Sequence, residues 1–373
     1  MNRRKFIKFT TVTIMVAGVT YYLMSDTFNF ERKDLDENLN TKIPFHNDEK
    51  TILIYASFAP SGHNTQPWFI KYIEPFHWMI CNDRTKWLSG VDPAQRETML
   101  SIGAFIQNLE LSANNLGYEC QFKILDLTNQ EEEVMSVKLF KSAEVKKFDI
   151  QKIQQRRTMR SNYLNEIIKK EDLNYLFENE TDYVQYFPNN SKQHFYLNEQ
   201  TIKANKIQSY RDEAQSELAD WMRFSNKDAA KYRDGLTTAS MEIDGISGWV
   251  LRNFYDKESV MKNDFREKSI EKVKEQVSDS AGWIVITSSD NSVLSLLETG
   301  KRLQRLWLKV REKNIAIHPM TQILEEEETR KLVDNSLGIN GNVQFLLRVG
   351  YVNNYPEPVT LRRPIDWFVK KLS

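Results

Sequence analysis

The chain has 373 residues, of which 40% are hydrophobic, 27% are charged and 12% are aromatic. This length allows two ordinary domains, or one large domain with two cores. Lys plus Arg equals Asp plus Glu at 51 each, so the charge balance predicts no polyanionic partner such as a nucleic acid. Only 13 Gly and 10 Pro occur, which argues against long flexible linkers.

The first residues have the layout of an export signal. A basic stretch that contains the pair Arg3-Arg4 precedes an apolar run over residues 9–24. This arrangement resembles a twin-arginine signal, which exports proteins that are already folded. A plain secretory signal and a short membrane anchor are the alternatives, because no clear cleavage site follows. We therefore expect residues 1–45 to lie outside the fold, and the protein to be periplasmic or anchored in the membrane facing the periplasm.

The first half of the chain predicts two helices and four strands. The longer helix begins near Pro93, and its apolar residues recur three and four positions apart up to Leu116. Cys81 ends one of these strands and Cys120 directly precedes another, and we expect both to be buried thiols, or a disulfide if the protein is exported. In order, the predicted elements are a helix over 51–58, strands over 68–72 and 77–81, a helix over 93–116, and strands over 121–127 and 134–140.

A second set of elements follows residue 141. Its clearest strand is the apolar segment Gly282–Ser288, and its longest helix runs over 292–313. A short helix over 149–155 and a strand over 343–349 flank these, and residues 166–235 are mostly helical and charged. The region from about 205 to 265 has no counterpart in the first half. We expect it to be an insertion, which either covers a site as a lid or projects into solvent.

The two long helices share the pattern Gly-x3-Gln-x-Leu-x-Leu. It begins at Gly103 and again at Gly300, an offset of 197 positions, and strands flank both copies. Amphipathic helices can match by chance, but the equal order of elements predicts an internal duplication. The halves would be residues 46–150 and 151–373, and one chain would then fold as a pseudo-dimer.

The segment Ala59–Trp68, A-P-S-G-H-N-T-Q-P-W, predicts a loop that contacts a planar ligand with polar edges. Gly62 permits a backbone conformation that residues with a Cβ avoid. Pro67 restricts Gln66 to an extended geometry, and Trp68 supplies a large apolar face. An ordinary surface turn that ends in a buried Trp is the alternative.

Two arginine-rich segments suit a phosphate group. In the first, Arg156, Thr158 and Arg160 point to the same side if the backbone is extended, because side chains alternate along a strand. Arginine pairs with phosphate oxygens in a bidentate manner. The second segment is Thr360–Pro364, T-L-R-R-P. Each segment alone is equally typical of a solvated basic run, and neither metal-ligand spacing nor a Ser-His-Asp arrangement accompanies them.

Together these segments resemble the FMN-dependent nitroreductases. The loop is similar to the S-x-x-N-x-Q-P-W segment of that family, R-R-T-M-R to its R-x-S-x-R phosphate segment, and L-R-R-P to its C-terminal basic segment. Both long helices resemble its central helix, so the resemblance covers residues 50–370. It implies an α+β, nitroreductase-like fold, and the duplication is similar to that of the Acg-like branch.

Members of this family normally form homodimers with two FMN sites at the interface, each built from both subunits. In this chain the loop occurs only in the first half and the arginine segment only in the second. The resemblance therefore implies one FMN per chain and a monomer, since the pseudo-dimer replaces the usual partner.

The resemblance also assigns roles to individual residues. It places the first-half loop on the flavin ring and ribityl chain, the arginines on the phosphate and the pyrimidine side, and the segment after the second long helix near flavin N5. His318 in that segment is a candidate proton donor. The implied FMN-binding residues are Pro60, Ser61, Gly62, Asn64, Gln66, Arg156, Thr158, Arg160, His318, Pro319, Met320, Arg362 and Arg363.

The implied activity is an oxidoreductase that takes a hydride at flavin N5, with NAD(P)H as one candidate donor, and reduces a small acceptor. Arg160 is the candidate cation at the N1/O2 edge of the flavin. Two alternatives stay open at this point. One is an FMN-sequestering protein whose lid blocks nicotinamide access, and the other is a flavin-free remnant with a structural role.

Overall fold

The computed structural model describes residues 25–35, 45–125 and 128–371. The predicted export signal over residues 1–24 lies outside these ranges. Within them, no helix combines the length and the apolar character that crossing a membrane requires. Helices and two sheets share the chain, so the predicted α+β class is confirmed.

The first sheet has five strands in the order β3-β4-β2-β1-β9. Neighbours in β3-β4-β2-β1 are antiparallel, whereas the C-terminal strand β9 pairs parallel to β1. The sequence did not predict β9, and its pairing brings the C-terminal segment back to the first half. The elements involved are α1 (Asn47–Ser57), β1 (Trp68–Glu74), β2 (His77–Asn82), α2 (Arg96–Asn115), β3 (Tyr118–Ile124), β4 (Glu133–Lys141) and β9 (Val369–Lys371).

The second sheet has four antiparallel strands in the order β5-β6-β8-β7. Every residue of β6 is buried, which explains why its sequence is apolar without alternation. Its elements are α3 (Gln151–Gln155), α4 (Lys170–Phe177), β5 (Val184–Pro188), β6 (Gly282–Ser288), α11 (Val293–Val310), β7 (Ile315–Pro319), α12 (Gln322–Glu325), α13 (Glu327–Leu337), β8 (Asn342–Tyr351) and α14 (Ile365–Phe368).

The charged region between β5 and β6 is a folded helical subdomain. Buried Ala219, Met222, Leu251 and Val260 form a small core of its own there. The helices of this subdomain extend beyond the predicted bounds of the insertion, because residue 205 lies inside the first helix and residue 265 inside the last. They are α5 (Lys192–Tyr210), α6 (Asp212–Trp221), α7 (Asn226–Tyr232), α8 (Gly245–Phe254), α9 (Lys257–Val260) and α10 (Asn263–Ser278).

The two long helices, α2 and α11, cross at Gly103 and Gly300. A Cβ at Gly103 would lie 2.1 Å from the carbonyl oxygen of Leu297, and a Cβ at Gly300 would lie 2.0 Å from that of Leu100. Only glycine permits this approach of two backbones. Each contact maps onto the other through the offset of 197 positions, since Leu100 corresponds to Leu297.

The polar contacts between these helices are reciprocal in the same way. Gln304 donates from Nε2 to Oδ1 of Asn108 at 2.7 Å, and Arg305 donates to Oε1 of Gln107 at 2.9 Å. Gln107 corresponds to Gln304 and Asn108 to Arg305 through the same offset. Gln107 therefore contacts the equivalent of Asn108, and Asn108 contacts the equivalent of Gln107. This exchange of partners is the pattern of a two-fold interface.

Helix α2 begins three residues later than the sequence predicted. The carboxylate of Asp92 accepts hydrogen bonds from the backbone N–H groups of Arg96, Glu97 and Thr98 at 2.8 to 3.1 Å. Gln95, just before the helix, has a positive φ of 56°. Asp92 thus caps the helix across a turn, whereas the prediction placed Pro93 in the first helical turn.

Candidate functional site

The loop Ala59–Trp68 leads from α1 into β1, and its backbone is strained. Positive φ angles occur at His63 (44°), Asn64 (54°) and Gln66 (55°). The prediction that Gly62 supplies the unusual backbone conformation is wrong, because its φ is not positive. The prediction that Pro67 keeps Gln66 extended is wrong as well, because Gln66 has a positive φ. Gly62 instead supplies space, since a Cβ there would lie 3.0 Å from Cδ1 of Leu88 and 3.3 Å from Oε2 of Glu97. Strain of this kind costs roughly 1 kcal/mol or more per residue and concentrates at functional sites.

The two amides of this loop are buried and occupied by protein partners. Asn64 accepts from Nη1 of Arg362 at 2.9 Å and donates to the carbonyl oxygens of Gly235 and Leu361 at 3.3 Å. Gln66 donates to the carbonyl oxygen of Arg233, and its Oε1 accepts from the backbone N–H of Arg363. These amides therefore fix the loop between the insertion and the C-terminal segment. Pro60, Ser61 and Gly62 of the same loop are half-buried.

Arg156 and Arg362 meet at the carbonyl oxygen of Phe58, to which each donates from Nη2, at 3.2 and 3.1 Å. The two arginine-rich segments of the sequence thus converge beside the loop. The guanidinium of Arg156 also lies over the ring of Trp307 on α11, 4.7 Å from its centroid. Nε and Nη1 of Arg156 and Nε of Arg362 are buried without a hydrogen-bond partner among the described residues.

A third arginine, Arg32, completes this arginine cluster. Its guanidinium lies 4.7 Å from the ring centroid of Phe58 and donates to the carbonyl oxygens of Thr360 and Gln154. Burial lowers the pKa of Arg32 to about 10, and burial together with Arg32 lowers that of Arg156 to about 9. Burial, Arg32 and Arg156 lower the pKa of Arg362 well below its usual value. No carboxylate of the described residues is among the charges that act on these three groups, so the arginine cluster lacks a counter-anion.

Arg363 lies apart from the arginine cluster. Its Nη2 donates to the backbone carbonyl oxygens of Gln66 and Trp68 at 2.5 and 2.7 Å. Its Nη1 lies 3.5 Å from Oδ2 of Asp83. Of the two C-terminal candidates, the structure thus places Arg362 beside Arg156, whereas Arg363 braces the end of the loop.

Arg160, at the other end of the arginine segment, contacts the buried His318, and its charge also acts on the half-buried His63. Its Nη1 lies 2.5 Å from Nε2 of His318 on β7. Because an arginine only donates, this Nε2 accepts and the proton of a neutral imidazole sits on Nδ1. Burial, Arg160 and Arg348 lower the pKa of His318 well below 6.5. Burial lowers that of His63 to about 4, with a smaller contribution of the same sign from Arg160. Both imidazoles are neutral at pH 7, so His318 has the protonation state of an acceptor rather than of an imidazolium donor.

The remaining candidates differ in their surroundings. Thr158 is half-buried between Arg156 and Arg160 along the chain. Pro319 ends β7, and its side chain is half-buried. Met320 is only 1% exposed and belongs to a hydrophobic core cluster that includes Ile323 and Leu346.

A segment of the insertion, residues 233–242, covers both ends of this region. Gly235 exchanges backbone and side-chain hydrogen bonds with Asn64. The carbonyl oxygen of Ser240 accepts from Nε of Arg160 at 3.0 Å. The carboxylate of Glu242 accepts from the backbone N–H of Arg160 and forms an ion pair with Arg157. The insertion thus contacts the loop and the arginine segment at once.

Asp92 and Glu97 lie at the start of α2, and the half-buried Glu325 on α12 is close enough to Glu97 for their charges to interact. Glu325 accepts from Nε2 of Gln208 at 2.6 Å and from the hydroxyl of Thr321 at 2.8 Å. Burial, followed by the charge of Glu97, raises the pKa of Glu325 to about 8. Burial and Glu97 also raise the pKa of Asp92 to about 7. Glu325 is therefore largely protonated at neutral pH.

We expect Glu325→Gln to change how stability depends on pH. A carboxyl whose pKa is raised on folding stabilises the native state fully below its unfolded pKa of 4.5, and this contribution is lost as pH rises through about 8. The variant lacks this carboxyl group and its pH-dependent contribution. The free energy of unfolding of the variant, relative to that of the wild type, should therefore rise by about 1 kcal/mol per pH unit between pH 5 and 8. Urea unfolding at both pH values measures this. The exposed Glu171→Gln should show no such gain, and parallel curves for Glu325→Gln and the wild type would contradict the assignment.

The residues present fit FMN at the level of donor chemistry. Buried guanidinium nitrogens that have neither a hydrogen-bond partner nor a counter-anion in the described part of the chain suit a phosphate dianion. Arg156 and Arg160 are four residues apart, at most about 14 Å along the chain, which matches a phosphate and a ring joined by a five-carbon chain. Pro60, Ser61 and Gly62 of the loop are half-buried, so they keep part of their surface open to a ligand.

Sequence reasoning missed several contributors. Arg32 belongs to the region that we expected to lie outside the fold, and only its charge marked it. Trp307 looked like one more apolar residue of the second long helix, and Glu242 like one more charge in the insertion. His63 lies inside the loop motif but has no counterpart among the residues that the resemblance assigns.

No family model matches the chain. Among curated proteins it is 22% identical over 312 residues to a Serratia protein named as a probable NAD(P)H nitroreductase, PigM, covering 79% of this chain and 86% of that one. It is also 34% identical over 90 residues to a Mycobacterium tuberculosis protein named as an NAD(P)H nitroreductase, acg. That match covers 24% of this chain and 27% of the mycobacterial one. The resemblance to nitroreductases, the Acg-like proteins included, is confirmed.

Two solved structures are also similar to this chain. The FMN-dependent nitroreductase NfnB of Mycobacterium smegmatis, solved with NADPH, aligns with a TM-score of 0.36 at 15% identity, covering 56% of this chain and 92% of that one. A structure from Anabaena variabilis that is named as a nitroreductase aligns with a TM-score of 0.42 at 12% identity, covering 84% and 90%.

Proposed function

We propose that this nitroreductase-like oxidoreductase binds one FMN between the loop Ala59–Trp68 and the arginine segment, and reduces a small acceptor with electrons from NAD(P)H. The observation that carries the proposal is the arginine cluster, in which buried guanidinium nitrogens converge beside the loop with no counter-anion among the described residues. The named relatives that act with NAD(P)H support the choice of donor.

In this proposal the phosphate is held by Arg156 and Arg362, which meet at the carbonyl oxygen of Phe58 and have buried nitrogens without a hydrogen-bond partner among the described residues. FMN would supply hydride and electron transfer, which no side chain of the chain provides. Arg160 holds a positive charge at the opposite end, where it favours an anionic ligand edge. Neutral His318 and the carbonyl oxygen of Ser240 orient that guanidinium without neutralising it.

One FMN per chain follows from the distribution of the motifs. The loop occurs only in the first half and the arginine segment only in the second, so an equivalent second site would lack both. The reciprocal contacts of α2 and α11 support a duplicated origin with halves near 46–150 and 151–373, and a monomeric pseudo-dimer. Export by a twin-arginine-type signal to the periplasm, either free or anchored, is part of the same proposal.

A second candidate function is FMN sequestration, and one observation favours it. Residues 233–242 bond to the loop through Gly235 and to Arg160 through Ser240 and Glu242. A segment fixed at both ends of the site is placed to block access by a nicotinamide while leaving a bound flavin in position.

Anaerobic addition of NADPH or NADH to the FMN-loaded protein tests the function. We expect the yellow absorbance to bleach, because a nitroreductase-like site must let the donor reach the flavin. Bleaching by dithionite but not by either nicotinamide would instead support sequestration. A protein that takes up no FMN at all would contradict both functions.

A further inference from the structure

We propose that the segment of residues 25–35, here called the strap, is part of the FMN site, and that Arg32 is a third phosphate ligand. This inference rests on the proposed function in its choice of FMN, but its anion-binding part stands on the arginine cluster alone. The chemical class recognised by the cluster is a phosphate monoester dianion.

Arg32 contacts each of the segments that build the phosphate end of the site. Its guanidinium lies over the ring of Phe58, whose carbonyl oxygen binds Arg156 and Arg362. It donates from Nη1 to the carbonyl oxygen of Gln154, two residues before Arg156, at 2.9 Å. It donates from Nε to the carbonyl oxygen of Thr360, two residues before Arg362, at 3.0 Å.

The charge of the arginine cluster calls for a dianion rather than a monoanion. Three guanidinium groups share one partly buried region, and the positive charge of Arg32 disfavours the charged forms of Arg156 and Arg362. Like charges brought together out of water repel strongly, and a doubly charged group that accepts several hydrogen bonds offsets this repulsion best. Two guanidinium groups balance the charge of such a dianion. The third guanidinium adds further attraction, so it raises the affinity for a phosphate ester relative to that for a neutral ligand.

The strap also connects the phosphate end to the insertion. The side chain of Asn29 accepts from the hydroxyl of Thr238 at 2.6 Å and donates to Asp244 at 2.7 Å. The carboxylate of Asp26 accepts from the backbone N–H of Asn226 at 2.7 Å. Both partners of Asn29 flank or lie in the covering segment 233–242. An anion that fixes Arg32 therefore also fixes the covering segment.

The test compares Arg32→Ala with Lys33→Ala in the full chain. Lys33 is the matched control, because it is the next strap residue and its side chain is 76% exposed. Dissociation constants for FMN and for riboflavin, which lacks the phosphate, are measured by quenching of flavin fluorescence. A charge-assisted contact predicts that Arg32→Ala weakens FMN binding by about tenfold or more. Riboflavin binding by this variant, and both flavins with Lys33→Ala, should stay within about twofold of the wild type.

If Arg32→Ala lowers the affinity for FMN and for riboflavin by the same factor, Arg32 only supports the fold. If the affinity for FMN is unchanged, Arg32 does not contact the phosphate. Either result overturns the proposal while leaving the proposed function intact. Arg32→Gln, which keeps a donor for the carbonyl oxygen of Thr360, replaces the alanine variant if that one does not fold.

Inorganic phosphate separates the two proposals. If the wild type binds no flavin but phosphate raises its melting temperature, and does so less in Arg32→Ala than in Lys33→Ala, the third-ligand inference holds and the flavin function fails. A wild type that responds to neither FMN nor phosphate contradicts both.

Discussion

Gly300→Ala should stop the chain from reaching its native fold, or destabilise it by at least about 3 kcal/mol. Elsewhere in a helix this substitution stabilises by about 1 kcal/mol, because alanine has the higher helix propensity. Here the new Cβ would lie 2.0 Å from the carbonyl oxygen of Leu100 and 3.0 Å from Cα of Gly103. Both obstacles belong to a helix backbone that cannot move aside, so the clash outweighs the propensity.

Urea unfolding followed by circular dichroism measures this effect. Leu294→Ala on the same helix is the control, since that side chain is 60% exposed and should shift stability by about 0.5 kcal/mol or less. Gly103→Ala should behave like Gly300→Ala because its Cβ would lie 2.1 Å from the carbonyl oxygen of Leu297. A midpoint for Gly300→Ala at or above that of the wild type would mean that the two helices do not cross at these glycines.

Arg156→Gln should lower the affinity for FMN by roughly a hundredfold, while affinity for riboflavin changes little. A buried guanidinium that donates to a phosphate contributes up to about 3 kcal/mol, which corresponds to that factor. The free energy of unfolding of the ligand-free variant should lie within about 1 kcal/mol of that of the wild type. Arg156 is a buried cation with no counter-anion in the described ranges, so its removal relieves about as much free energy as the lost contacts to Phe58 and Trp307 provided.

Isothermal titration with each flavin measures both affinities. Arg84→Gln is the matched control: Arg84 donates to the carbonyl oxygen of Gln130 at the surface and lies far along the chain from the arginine cluster. An Arg156→Gln protein that binds FMN as tightly as the wild type would place the phosphate elsewhere.

The sequence predicted the parts of the fold that periodicity controls. Met99, Ile102, Ile106 and Leu109 on α2 recur three and four positions apart and are almost completely buried. Leu296, Leu303 and Val310 on α11 recur seven positions apart, which is two helical turns, and are buried as well. The strand Gly282–Ser288 was predicted with the bounds that the structure shows. Strand β9, in contrast, is three residues long and exists only because it pairs with β1, so no local pattern could indicate it.

Local chemistry explains the boundaries that were wrong. Asp92 caps α2 with three hydrogen bonds over a turn, and this geometry outweighs the preference of Pro93 for a first helical turn. The prediction for Gly62 failed because a glycine in a motif can provide space instead of a positive φ. In this loop His63, Asn64 and Gln66 carry the strained conformations, and Arg362 and Arg363 hold two of them through the amides.

The candidate site was predictable where a motif resembles a family, and not where the contribution comes from distant chain. Arg156 and Arg362 lie beside the loop as the order of the motifs implied. Arg32 could not be found in this way, because its role depends on three backbone segments that only the fold brings together. Both cysteines, Cys81 and Cys120, are free thiols on strands that β4 separates.

The number of FMN molecules bound per chain tests the central claim most directly. We expect titration of the purified wild type with FMN to reach its end point at one flavin per chain, because the loop and the arginine segment each occur once. An end point of two would mean that the second half of the pseudo-dimer kept its own site, and no uptake would mean that the arginine cluster serves another anion.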